Sequence, residues 1–251
     1  MGEKRRTVLA AVIIVVVLAA VLYSFFLNLF APTPELVLAD PDAAQSESPG
    51  AEQTAQVGGV AVEVTPQTVQ ALVEYLDRYE SYRRTVTAEY FFNGETAGTV
   101  TGQVWADGGW TRSDLTLSSG VVEHAIVGDG TLWLWQDQGQ GQSVYSGPAE
   151  DRSADLSQRL PTYEDVLLLD PDDITAAGYE ERENQPCVYV EAQTGLGYTE
   201  RYWISVDSGL LVAAETEKSG QVVYAMTSRD VVSPLDETQG IFALPDGTVL
   251  H

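Results

Sequence analysis

Ser81-Tyr-Arg-Arg-Thr-Val-Thr-Ala-Glu-Tyr-Phe-Phe-Asn-Gly94 decides the fold. Val86, Ala88, Tyr90 and Phe92 alternate with Thr85, Thr87 and Glu89, the period of two that a strand needs. Asn93-Gly94 is the dipeptide of a tight hairpin turn, so a second strand runs antiparallel to the first.

Downstream the pattern repeats. Strands are expected over 97–106, 110–117, 121–127, 131–137 and 143–145, with turns at Asp107-Gly108-Gly109, Ser118-Ser119-Gly120, Gly128-Asp129-Gly130 and 138–142. Six strands joined by short turns make an antiparallel meander. Short helices over 151–160 and 163–169, split by Pro161, interrupt it. Strands resume at 179–183, 187–192, 198–206, 210–217 and 221–231.

Upstream, Thr65-Pro66 reads as an N-cap and a first helical residue. Val69, Leu72, Val73 and Leu76 then recur at helical spacing, and Tyr75 and Tyr79 widen the stripe, so a helix is expected from Pro66 to about Arg78. Residues 32–60 are rich in Pro, Ser, Ala and acids and read as a solvated tether. Before them, Val8 to Phe30 is an uncharged run of roughly 23 residues, enough to cross a ~30 Å hydrocarbon core. Lys4, Arg5 and Arg6 precede it and only acids follow closely, which places the N-terminus inside and residues 32 onward outside. A cleaved signal peptide is the competing reading. The run is too long for one, and Phe25, Phe26, Leu27 and Phe30 crowd its far end. The expected organisation is therefore a cytoplasmic stub (1–6), a transmembrane anchor (7–31), a linker (32–60) and one exterior domain (61–251).

Charge narrows the partners. The chain holds 13 Lys+Arg against 37 Asp+Glu, a formal net charge of −24. Three of those cations lie before the apolar run, so the exterior part is more acidic still. Such a field repels phosphate backbones, which argues against nucleic acid. Cys187 is the sole cysteine, so no intramolecular disulfide supports the domain.

A search for chemistry finds little. Two histidines, His124 and His251, and one cysteine cannot supply a usual zinc site or a Cys-His pair. No phosphate loop, nucleophile elbow or dinucleotide fingerprint is present. Asp170-Pro-Asp-Asp begins like a calcium loop, but Ile174 and Thr175 fall at its fifth and sixth positions, where a ligand and glycine are needed. It reads as a helix-ending turn. His124 alternates with Val122 and Ile126 and reads as a packed or rim residue. Acids abound, but nothing marks two as a catalytic pair. No enzyme and no cofactor are expected.

Aromatic side chains are the remaining signal. Trp133 and Trp135 share one face of the fifth meander strand, and Leu132 and Leu134 the other. A strand apolar on both faces needs cover on both. Trp105 and Trp110, with Tyr202 and Trp203 from a later strand, complete a set of cavity candidates. Either the helices fill the space beside this sheet, or they leave room for an apolar ligand.

The pieces in this order resemble the LolA/LolB-like, lipoprotein-carrier-like superfamily. The resemblance rests on Asp129-Gly-Thr-Leu-Trp-Leu-Trp135, Tyr202-Trp-Ile-Ser-Val-Asp-Ser-Gly-Leu210, Gly220-Gln-Val-Val-Tyr224 and Ile241-Phe-Ala-Leu-Pro245, spanning about residues 65 to 247. It implies a mainly β (α+β) domain: an unclosed antiparallel barrel of about 10–11 strands wrapped around helices. It also implies a non-catalytic cavity for a lipid or lipoprotein acyl chain. Proteobacterial carriers place an arginine in the turn after the second strand. Here that turn is Ala106-Asp-Gly-Gly109, and Arg112 just beyond is the counterpart. The superfamily also includes envelope sensors that bind a protein, and anchored proteins of Gram-positive bacteria. The alternative expectation is therefore an interaction module with a side-chain-filled cavity.

Overall fold

The computed structural model describes residues 54–57, 60–137, 143–149, 158–235 and 240–251. The expected anchor over 7–31, its Lys4, Arg5 and Arg6 flank and most of the expected linker lie outside the described residues. No helix among the described residues is long and apolar enough to cross a membrane.

The first described pairing begins within the stretch read as tether, where β1 (Thr54–Val57) lies antiparallel to β2 (Val60–Glu63). Next comes α1 (Val69–Tyr75), shorter at both ends than its periodicity suggests. Residues 65–68 form a turn instead of a capped first helical turn. The amides of Thr68 and Val69 both donate to the Thr65 carbonyl, at 3.0 and 2.9 Å. The Thr68 hydroxyl donates to the Glu63 carbonyl at 2.8 Å. Leu76 is already extended, and Tyr75 and Tyr79 are exposed rather than part of the stripe. Tyr75 sits about 100° round the helix from the Val69–Val73 face, and Tyr79 lies past the helix end.

The meander follows as expected. β3 (Ser81–Phe92) and β4 (Glu95–Asp107) meet at Asn93 and Gly94, both with positive φ (53° and 79°), as a two-residue hairpin requires. β5 (Trp110–Thr116), β6 (Val122–Gly128), β7 (Thr131–Gln136) and β8 (Tyr145–Pro148) continue it. Of the helix expected over 151–160, residues 151–157 lie outside the described residues, and 158–160 form a turn.

α2 (Tyr163–Leu167) opens on a capping box. The Thr162 amide donates to Asp165 Oδ2 at 2.7 Å, and the Glu164 amide to Thr162 Oγ1 at 3.2 Å. It stops two residues short of expectation, and its last carbonyls are taken by α1. Gln70 Nε2 donates to Val166 O and Leu169 O, both at 2.9 Å. Asp170 then caps a 3-10 turn over Pro171–Asp173, accepting the Asp172 amide at 3.0 Å.

β9 (Ile174–Arg182), β10 (Gln185–Thr194), β11 (Tyr198–Ser205), β12 (Leu211–Lys218) and β13 (Gln221–Val232) complete one 11-stranded antiparallel sheet. β9 begins five residues before the expected strand, because Ile174 and Ala177 join the core although Thr175 and Gly178 break the pattern. The first strand of the meander pairs with the last of the second run, β3 with β13. The sheet thus stays unclosed, with β8 and β9 as its edges.

α1 and α2 lie on one face of this sheet. Val69, Val73, Val166, Val188, Val190 and Ile204 meet there with no exposed surface. The register carries that face across the molecule: Val104 opposes Ser113, Ser113 opposes Ala125, and Ala125 opposes Leu134. Leu160 extends the cover onto Val86, Val104 and Leu115.

Candidate functional site

The two faces of β7 have different surroundings. Leu132 and Leu134 are half-buried on the helix-bearing face. Trp133 and Trp135 are on the other, with Trp105 and Trp110. The C-terminal segment covers these tryptophans through Ile241, Phe242, Leu244 and Leu250. Trp110 stacks on Trp133 at 5.9 Å and on His251 at 5.2 Å, and meets Phe242 edge-on at 6.1 Å. A Cβ at Gly128 would stand 2.2 Å from the Trp110 ring, so glycine is required there. Four of the cavity candidates therefore form a second core, closed by the chain itself.

Polar groups lock this layer. Arg112 grips both Asp114 oxygens at 2.9 Å, lies over Trp105 and Trp135, and donates to Ile241 O at 2.6 Å. Asp114 also meets His124 Nδ1 at 2.8 Å. His124 stacks on Trp135 at 5.1 Å, with Nε2 3.2 Å from Asp137. It is held between two carboxylates, a packed position with neither ring nitrogen directed at a cleft.

Trp203 also leaves the helix-bearing face. It packs with Cys187, Val212 and Ala213, donates to Glu180 at 2.7 Å and lies under the Arg182 guanidinium. Burial pushes the Cys187 thiol up to about 11, so it stays protonated and unreactive at neutral pH.

Tyr202 is the candidate that reaches an open site. It borders a cleft of about 430 Å³ between the segment before α2 and strands β11–β13. Leu160, Pro161, Ala214 and Tyr224 supply apolar wall, and Arg159, Asp165, Glu200 and Thr216 supply polar edges. Burial, then the nearby Glu200 carboxylate, holds the Tyr202 phenol far above its usual range, and its hydroxyl donates to Glu200 at 2.8 Å. Burial, then Tyr90, raises the Tyr224 phenol likewise. Both remain protonated donors. The three acids of this cleft are occupied in structure: Asp165 caps α2, Glu200 accepts from Tyr202 and Glu215 pairs with Arg182. Such a site can hold a molecule, but no pair in it is poised to transfer a proton. Among the described residues no group of three or more His, Cys, Asp or Glu could hold a metal ion.

Nothing in the local sequence around Tyr224, Leu160 or Glu200 marks them as site residues. Their shared position depends on the β3–β13 pairing and on the path of 158–162, neither of which is a local property.

No protein-family model matches the sequence, and no curated protein matches it. Several solved structures are similar in fold. A chain of the Pseudomonas aeruginosa MucA/MucB complex is 19% identical, with a TM-score of 0.45, over 72% of this chain and 63% of that one. The chain thus spans less than two thirds of that relative's length. LprF from Mycobacterium bovis is 14% identical, with a TM-score of 0.40, over 68% of this chain and 92% of that one. A LolA superfamily protein from Nitrosomonas europaea is 12% identical, with a TM-score of 0.33, over 72% of this chain and 98% of that one. The unclosed 11-stranded antiparallel sheet with short helices on one face agrees with the mainly β, unclosed fold expected from the ordered sequence motifs.

Proposed function

We propose that this chain is a membrane-anchored, extracytoplasmic binding module that engages another envelope polypeptide and performs no chemistry. The filling of the helix-bearing face carries this reading. In its β9–β13 half, where an acyl chain would need apolar space, α1 and α2 occupy the space with fully buried side chains. What stays open is a cleft with carboxylates and protonated tyrosines at its edge. A hydrocarbon chain gains about 0.8 kcal/mol per buried CH₂, and that gain needs apolar walls. A polypeptide, with its own donors and basic side chains, matches a mixed wall better. The uncharged run after Lys4, Arg5 and Arg6 supports the anchor and the outward orientation.

A second reading, capture of a lipid or lipoprotein acyl chain, is favoured by Leu132 and Leu134. Both are half-buried apolar groups on the helix-bearing face, near the β8 edge.

A photo-crosslinking residue in place of Thr216, at the cleft edge, tests the proposal in intact cells. It should yield a discrete protein adduct that the same group at exposed Val249 does not. Adducts formed only with lipid, or none from a folded protein, would overturn it.

A further inference from the structure

We propose that the β9 edge is a docking strand for an extended, basic segment of a partner polypeptide. This deepens the interaction reading above and rests on it.

Among the described residues β9 is bonded to β10 alone, and beyond a register shift at Thr175 the seven residues 176–182 present one unpaired side of their backbone in continuous register. Unpaired edges are ready templates for another strand, and proteins usually blunt them by shortness, proline or charge. The other edge of this sheet is blunted: β8 has four residues and ends at Pro148. β9 is long, lacks proline and lysine, and is uncharged from Ile174 to Tyr179.

The side chains leave room for an added strand. Ala176, Ala177 and Gly178 carry nothing larger than a methyl group. A groove of about 560 Å³ runs along residues 176–181 beside Tyr189. Tyr189 stands directly opposite Gly178 across the β9–β10 pair. A Cβ at Gly178 would meet no atom within 4 Å, so the space over the glycine is open. The Tyr189 ring is fixed there, donating to Glu191 at 3.0 Å and tilted on Trp203 at 5.3 Å. An apolar side chain of an added strand would fill the space over Gly178 and pack on that ring.

Charge selects the occupant. Glu180 and Glu181 are exposed at one end of the strand, and Asp172 is exposed just before the other. The nearby cations are committed, Arg182 to Glu215 and Arg229 to Glu183. A second copy of this chain, with its net charge of −24, would bring like charge to like. A basic segment is complementary.

The probe is a labelled seven-residue peptide of alternating Val and Thr with lysine at both ends, added to the full-length chain in mild detergent. It should bind saturably by anisotropy and slow hydrogen exchange at amides of 174–182. Glutamate ends should weaken binding about tenfold, and Glu181→Lys should narrow that difference. N-methylation of alternate peptide amides should abolish binding. Equal binding of the methylated peptide, or protection elsewhere than β9, would overturn the proposal. So would concentration-dependent protection of β9 without peptide, which would identify the occupant as a second copy. A protein adduct from the Thr216 crosslinker with β9 amides unprotected would overturn only the edge and leave the interaction reading standing.

Discussion

Trp133 and Leu134 are adjacent in β7 and serve opposite cores. Trp133 stacks on Trp110 at 5.9 Å in the tryptophan layer under the C-terminal segment. Leu134 opposes Ala125 on the face that carries the helices. The alternation of a strand assigns neighbours to different environments, so substitutions there separate two functions of one element.

The C-terminal segment is a structural part of the domain. Phe242 is fully buried against Trp110. Phe242→Ala should cost about 3–5 kcal/mol, read as a lowered midpoint in chemical denaturation. Gly128→Ala should also destabilise, by about 1–3 kcal/mol, because its methyl group meets the Trp110 ring. A neutral result for both would show that the tryptophan layer is not a packed core.

Cys187 should resist thiol reagents at pH 8 while the protein is folded and react fully once it is denatured. Burial raises its folded pKa from 9.0 to about 11. The associated stability is complete below the unfolded value and is lost as pH rises through the folded one. Cys187→Ser should keep a cooperative melt and remove that alkaline loss. Rapid labelling of the native protein would contradict the burial.

Acid should act through Glu191. Burial raises its carboxyl, but the bonds from Arg201 and Tyr189 outweigh this and hold it below the ordinary carboxylate range. Its contribution is present above the unfolded pKa of about 4.3 and lost as pH falls through the lower folded value. Glu191→Gln should flatten the decline of the melting temperature below about pH 4. An unchanged acid limb would mean that Arg201 finds its partner elsewhere, in Glu217.

Much of the sheet was legible because its signals are local. Asn93-Gly94 marks its own turn, and Val86 to Phe92 carry a strand period in plain view. The β3–β13 pairing was not legible, since nothing in either strand names its partner. The site suffered for the same reason. Tryptophans at 105, 110, 133 and 135 read as cavity candidates because apolar aromatics suit a ligand wall and a core equally. Only the path of Ile241 to Leu250 shows which they are. Conversely, Tyr224 and Glu200 carry no mark of a site until the strands bring them to one cleft.

The proposed outward topology rests on Lys4, Arg5 and Arg6 before an uncharged run. Protease added to intact cells should digest the domain, while a tag before Lys4 stays protected until lysis. A protected domain and an accessible N-terminus would reverse the orientation.

Titration of residues 51–251 with a fluorescent fatty acid tests the central claim most directly. With the β9–β13 half of the helix-bearing face filled by α1 and α2, no saturable binding of one probe per domain is expected, and Leu134→Arg should change nothing in the titration. Stoichiometric micromolar binding, lost in Leu134→Arg and kept in Trp133→Glu, would contradict it and establish the acyl-chain reading.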